Sequence, residues 1–417
     1  LHLFHETQPD LNWRNPRVRE DVEEMMRWWL DRGIDGFRMD AINLLSKPEG
    51  YPDGDGDAGL VGGEFFFNGP RLEEYLDGLV DVLDEYDAMT VAEMPNTDVD
   101  TAARYLEDGA GLGMIFQSDH MDIDAGPDGI WDPTDWGELD LPEFKRAVSR
   151  WQTGLRGRGW NSVFLGNHDQ PRIVSRFGDD EAYRRESATL LATFLLTLSG
   201  TPYVYQGDEI GMTNDTFEGL DEIDDVETIG SVTDLFERGV ADGFEDVRDL
   251  VNYWSRDHAR TPMQWSDAEH AGFTDGEPWL AVNENHPEIN VEAERSHENS
   301  IWRHYRRLID LRHDEETLVY GEYDLLAPDH PAFYAYTRTL GDDTILVVLN
   351  WSDATQTFEA GAVEEEPAKT GRGEAGTGEA KTVETDDAAV LASNYEGSPT
   401  DPVDHAFRPY EAVVYRL

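Results

Sequence analysis

Short apolar runs alternate with helical patterns over the first 210 residues, and that alternation constrains the fold more than any other feature of the chain. From Pro16 to Arg32, apolar groups at Val18, Val22, Met25, Met26 and Trp29 keep a helical spacing, with proline at the start and Gly33 at the stop. Ile34 to Met39 is short, partly apolar and followed by a loop, so it reads as a strand. A second helix is expected over Gly69 to Tyr86, leading into a strand from Ala88 to Ala92. Further strands are expected at Met114 to Gln117, Ser162 to Leu165 and Pro202 to Tyr205, with helices over Leu141 to Arg156 and Glu181 to Ser199. Strands that alternate with helices imply a parallel sheet covered by helices. The fold class expected is α/β, a (β/α)8 TIM-type barrel of which these strands form part, with functional groups at the strands' C-terminal ends.

The texture changes toward the C-terminus. A long acidic stretch, Asp215 to Asp249, and a helix over Ser300 to Arg312 close the first part. From about Leu318 the patterns are short and β-like, at Phe333 to Arg338, Thr344 to Asn350 and Ala412 to Leu417. A barrel domain over residues 1–318 and an antiparallel β-sandwich over 319–417 are expected. Within the latter, Glu359 to Asp387 has hardly any large apolar group and reads as a mobile surface loop. No internal repeat at a solenoid period is visible.

Charge narrows the partners. The chain of 417 residues carries 33 Lys and Arg against 88 Asp and Glu, a formal net charge of −55. Binding to nucleic acid phosphates or an anionic membrane is therefore disfavoured, and a neutral or cationic small molecule fits better. The acids are spread along the chain while hydrophobic residues still make up 39%, so this is a folded protein with an acidic skin. Only Lys47, Lys145, Lys369 and Lys381 are lysine, a pattern that resembles proteins of organisms keeping molar salt in the cytoplasm. Cysteine is absent, which excludes disulfides, thiolate metal sites and a cysteine nucleophile. The longest apolar candidate, Ala188 to Leu198, carries Thr189, Thr193 and Thr197 and is too short to span a membrane. The N-terminus shows no basic region followed by an apolar core, so a cytoplasmic location is expected.

Three strand ends carry carboxylates. Strand residues two apart point the same way, so Arg38 and Asp40 in GFRMD project together. A guanidinium beside a carboxylate keeps it ionised, as a nucleophile requires, though a structural ion pair reads the same. Glu93 ends the strand in MTVAEM, where apolar walls raise a carboxyl pKa and suit a general acid. The bland reading is a helix cap or loop anchor. In FLGNHDQPR the strand leads into Asn167, His168 and Asp169, groups that can grip sugar hydroxyls or simply form a satisfied polar cluster. The conjunction carries the argument: Asp40, Glu93 and Asp169 each close a predicted parallel strand, as successive βα units allow.

The segments GIDGFRMDAINLL, TVAEM and FLGNHDQPR resemble the second, third and fourth signature regions of the α-amylase superfamily, glycoside hydrolase family 13. QPDLNW at 8 to 13, GTPYVYQGDEIGM at 200 to 212 and RDHARTPMQW at 256 to 265 are similar to its oligo-1,6-glucosidase and α-glucosidase branch. The resemblance implies that Asp40 is the nucleophile, Glu93 the general acid/base and Asp169 the transition-state stabiliser. It also implies that Arg38 and His168 hold the glucosyl unit, with Arg256 and Arg260 as further contacts. Such an enzyme would be a retaining α-glucosidase, its nucleophile and acid about 5 to 5.5 Å apart. Ala41, after the nucleophile, implies a lean toward α-1,4 over α-1,6 linkages, where one side chain discriminates by only about 1–3 kcal/mol. A small oligosaccharide substrate and no organic cofactor are implied.

The family's first signature region, an Asp-x-x-x-Asn-His stretch, is expected upstream of QPDLNW and is not found. The first three barrel strands and the inserted B domain are expected to be missing with it, leaving strands 4 to 8, and the family's usual calcium loop would sit in that missing N-terminal part. Asp53, Asp55, Asp57 and Glu64 occupy positions 1, 3, 5 and 12 of an EF-hand-like loop. Ala58 stands where glycine is required, so the segment reads as an acidic surface loop and no metal site is expected. Two other readings stay open: a transglycosylase or sucrose-isomerising relative with the same trio, and a non-catalytic scaffold member.

Overall fold

Asn15 opens the first helix, α1 (Pro16–Leu30), accepting a hydrogen bond from the Arg17 N–H at 3.1 Å while Pro16 takes the position where no donor is needed. The computed structural model describes residues 1–54, 61–106, 111–358, 385 and 388–417. Asp55, Asp57 and Ala58, and the Glu359 to Asp387 loop apart from Thr385, lie outside the described residues. The chain divides into two compact units: Leu1–Asp119 with Arg150–Ser162, and His120–Ser149 with Val163–Leu417.

In the first unit, α1 and α2 (Leu72–Tyr86) pack together beside strands β1 (Gly36–Met39), β2 (Met89–Glu93) and β3 (Met114–Phe116). The sheet is parallel in the order β1–β2–β3, with Gly36 opposite Met89 and Val91 opposite Met114. A Cβ on Gly36 would stand 2.0 Å from the Met89 carbonyl oxygen, so only glycine lets these strands approach. A parallel bridge from Ile115 to Asn161 extends the sheet toward β4 (Ser162–Val163). Helix α1 meets the core along Val22, Met26 and Leu30, one stripe at i, i+4 and i+8. Met25 and Trp29, expected on that stripe, are instead 45% and 44% exposed because they lie to one side of it.

In the second unit, the Tyr203 N–H donates to the Val163 carbonyl at 2.8 Å beside β5 (Thr201–Pro202). Strands thus stand at all five expected places: the second keeps its length shifted by one residue, the other four are shorter, and the fifth meets its expected span only at Pro202. Helix α3 (Leu141–Gly154) continues from this unit into the first. Helix α4 (Arg184–Thr197) is buried on every side from Ser187 onward. Its threonines satisfy themselves by bonding back one turn: Thr189 to the Arg185 carbonyl, Thr193 to Thr189 and Thr197 to Thr193, at 2.6 to 2.8 Å. No helix among the described residues is long and apolar enough to cross a membrane.

Antiparallel strands β6 (Glu322–Leu326), β7 (Phe333–Leu340), β8 (Asp343–Asn350), β10 (Ala389–Ser393) and β12 (Ala412–Arg416) form a sheet in the order β10–β12–β8–β7–β6. Gly341, at φ +64°, opens the two-residue turn between β7 and β8. The short pair β9 (Gln356–Thr357) and β11 (Ala406–Phe407) brings Phe407 onto Phe333, Leu346 and Val413 on one face. On the other face, Tyr323 bonds Ser149 at 2.9 Å and Tyr336 bonds Thr197 at 2.5 Å. Lys145 is buried in α3 and donates to the carbonyls of Ala327, His330 and Phe333 at 2.7 to 3.0 Å.

Candidate active site

β1 delivers Arg38 and, one residue past its end, Asp40; β2 runs alongside and ends in Glu93. Arg38 contacts both acids, bonding Asp40 through Nη1 and Glu93 through Nη2, the latter at 2.9 Å. Ala41 adopts a left-handed conformation (φ 41°, ψ 39°), and its N–H donates to the same Glu93 oxygen, Oε2, at 2.9 Å. An alanine in this region carries backbone strain, which the Glu93 contact offsets. The Asp40 side chain is 80% exposed and that of Glu93 31%. The sequence-predicted residues Arg38, Asp40, Ala41 and Glu93 therefore form one cluster within the first unit.

In the second unit the chain after β4 turns at Asn167, whose side-chain oxygen accepts from the Asp169 N–H at 2.7 Å. Asp169 is held on both oxygens: His168 Nε2 lies 3.1 Å from Oδ2, while Arg256 and Arg260 reach Oδ1 at 3.2 and 2.8 Å. Arg260 also donates through Nε to the His168 carbonyl at 3.0 Å. Burial works to raise the Asp169 pKa, but the His168 hydrogen bond and the charges of His168, Arg256 and Arg260 hold it below the ordinary carboxylate value. His168, Asp169, Arg256 and Arg260 thus form a second cluster, within the second unit.

Sequence reasoning missed three acids of this cluster. Asp225, buried at the start of helix α5 (Val226–Glu237), bonds Arg256 at 3.0 and 2.5 Å. Burial acts against its charge, yet Arg256 and the Thr228 donors pull its pKa down to about 2. Glu227 stands 3.1 Å from Arg256, and Asp257 accepts from the N–H groups of Asp224 and Asp225 at 2.8 and 2.9 Å. The one available signal was Asp225 followed three residues later by Thr228 at the head of an apolar pattern, a helix-cap signature inside the acidic stretch. Among the described residues no group of three or more His, Asp or Glu is placed to hold a metal ion.

Arg38, Asp40 and Glu93 at the carboxyl ends of neighbouring parallel strands, followed along the chain by an antiparallel sheet, fit a barrel-type catalytic domain with a C-terminal β domain. Residues 1–321 match the alpha-amylase catalytic domain, and the chain belongs to the alpha-amylase family. It is 48% identical to an oligo-1,6-glucosidase of Parageobacillus thermoglucosidasius, over 86% of this chain and 64% of that protein. It is 46% identical to an oligo-1,6-glucosidase of Halalkalibacterium halodurans, over 100% of this chain and 71% of the relative. Among solved structures, isomaltulose synthase from Klebsiella sp. LX3 aligns with a TM-score of 0.89 at 35% identity, covering 100% of this chain and 71% of that one. The chain thus spans about two thirds of the length of the relatives it matches. Family and neighbours give the fold class as a TIM-type barrel followed by a C-terminal antiparallel β domain. The lean toward α-1,4 linkages drawn from Ala41 runs against the name oligo-1,6-glucosidase that the two relatives above carry. A single aglycone-side residue contributes too little free energy to decide linkage.

Proposed function

We propose that the protein is a retaining α-glucosidase that releases glucose from the non-reducing end of short α-glucosides, α-1,6 links included. In this reading Glu93 protonates the leaving oxygen and Asp40 attacks the anomeric carbon, forming a glucosyl ester. Glu93, now a carboxylate, takes a proton from water, which releases glucose with its configuration retained. Asp169 stabilises the charge that develops on the sugar, with Arg38 and His168 holding the glucosyl unit and Arg256 and Arg260 orienting Asp169. The observation that carries the reading is the Arg38 guanidinium shared by Asp40 and Glu93 at the ends of neighbouring parallel strands. It keeps two carboxylates close and leaves Asp40 open to solvent, as attack on a substrate requires. The reaction calls for no organic cofactor. A barrel domain over residues 1–318, a β-sandwich over 319–417 and a cytoplasmic, molar-salt setting belong to the same reading, the last supported by the net charge of −55.

Hydrolysis of p-nitrophenyl α-glucoside in 3 M KCl tests it. Wild type should be active and Asp40→Asn should lose about 10³-fold or more, as removal of a nucleophile does. No hydrolysis by folded wild type would refute the assignment. The likeness to isomaltulose synthase supports a second reading, isomerisation of sucrose. Incubation with sucrose and chromatography of the products separates the two: hydrolysis yields glucose and fructose, isomerisation an isomeric disaccharide.

A further inference from the structure

We propose that Asp225 is a positioning residue for this reaction, holding Arg256 and Arg260 so that both guanidinium groups face Asp169; the inference rests on the glucosidase reading above. Its two oxygens divide the work. Oδ2 caps helix α5, accepting from the Thr228 N–H at 2.9 Å and the Thr228 hydroxyl at 2.6 Å. Oδ1 takes Nε and Nη2 of Arg256 at 3.0 and 2.5 Å, stands 3.4 Å from Nη1 of Arg260 and accepts weakly from the Glu227 N–H at 3.4 Å. With those nitrogens committed, Nη1 of Arg256 reaches Asp169 and stands 3.1 Å from Glu227 as well, while Arg260, its Nε held by the His168 carbonyl, reaches Asp169 through Nη2.

The strut is rigid for three reasons. The Asp225 side chain is fully buried, so a charge there must stay paired. Charge-assisted bonds to a planar guanidinium fix its orientation as well as its distance. Asp257, next in the chain to Arg256, ties the backbone N–H of Asp225 from behind at 2.9 Å. Asp225 itself does not touch Asp169 through any bond described, so it acts through the arginines.

Asp225→Asn keeps an oxygen for the helix cap but turns an amide donor toward the guanidinium donors. On p-nitrophenyl α-glucoside in 3 M KCl, kcat/KM should fall about 50-fold, and kcat with it, while circular dichroism keeps the wild-type signal; the melting midpoint falls, because a buried pair loses one charge, but stays above the assay temperature. In an Arg256→Ala background the same substitution should cost less than about fivefold, because the arginine it holds by two bonds is gone and only the 3.4 Å contact to Arg260 is left. Asp225→Ser, which also caps a helix, carries the same comparison should the Asn variant not fold. Either variant within threefold of wild type, or a full 50-fold loss repeated without Arg256, overturns the positioning role. Wild type inert on the probe would instead remove the glucosidase reading beneath it.

Discussion

Lys145 illustrates how much a single side chain carries in a protein with so few lysines. Its ammonium meets three backbone carbonyls where α3 lies against the C-terminal sheet, with all three donors used. Burial pushes its pKa down from the ordinary lysine value to about 8. The folded state therefore binds fewer protons than the unfolded one between pH 8 and about 10.4, and Lys145 makes stability rise with pH across that window. Lys145→Met should lower stability by about 2–4 kcal/mol at pH 7, since three carbonyls lose their donor. The gap between wild type and variant should widen from pH 7 to pH 10, measured by urea unfolding in 3 M KCl. A gap that narrows would contradict the account. Asp169 makes the complementary point: burial works to raise its pKa, and the His168 bond with the charges of His168, Arg256 and Arg260 holds it below the ordinary carboxylate value.

Among the elements, α4 is the one whose sequence most misrepresents its surroundings. Its threonines look like polar interruptions of an apolar run, yet the helix is core. Thr193 donates to the Thr189 carbonyl and pairs with His304 Nε2 at 2.9 Å. Burial pulls the His304 pKa down to about 3, so the ring is neutral. Its Nδ1 accepts from Arg307, which assigns the ring proton to Nε2, donating to Thr193. Thr193→Val should strand that N–H and cost about 1–3 kcal/mol. Thr233→Val, on the exposed face of α5 where the hydroxyl also bonds back to Ile229 at 2.6 Å, should cost under about 0.5 kcal/mol. Thermal unfolding of the pair checks this, and equal losses would refute it. The strands teach a related lesson. The five barrel strands were visible as apolar runs, but Glu322–Leu326, Gln356–Thr357, Ala389–Ser393 and Ala406–Phe407 were not, because short strands held by their neighbours need no pattern of their own.

At the scale of the molecule, the proposed halophilic character predicts that the acid excess sets the conditions for folding. With 55 uncompensated negative charges, self-repulsion at low salt opposes the compact state, whereas in molar salt the screening length is about 3 Å. The melting temperature should rise markedly between 0.1 M and 3 M KCl, and an unchanged midpoint would contradict the halophilic reading. Many surface ion pairs, such as Arg27 with Glu85 at 2.8 Å, weaken in the same salt, so the gain comes from relieved repulsion among acids.

Part of the candidate site could be read without coordinates. The alternation of runs with helical patterns is local along the chain, and a barrel strand's last residues are by construction at its functional end. That placed Arg38, Asp40, Glu93, His168 and Asp169 as candidates, and the period of two already paired Arg38 with Asp40. Which acid of the Asp215 to Asp249 stretch is buried against Arg256 was not open to such reading, nor which side of α1 faces the core. Asp225, Asp257 and Met25 owe their environments to partners 30 or more residues away or to the angle at which a helix meets its neighbour. Burial and long-range pairing belong to the packed chain as a whole, and no local pattern encodes them.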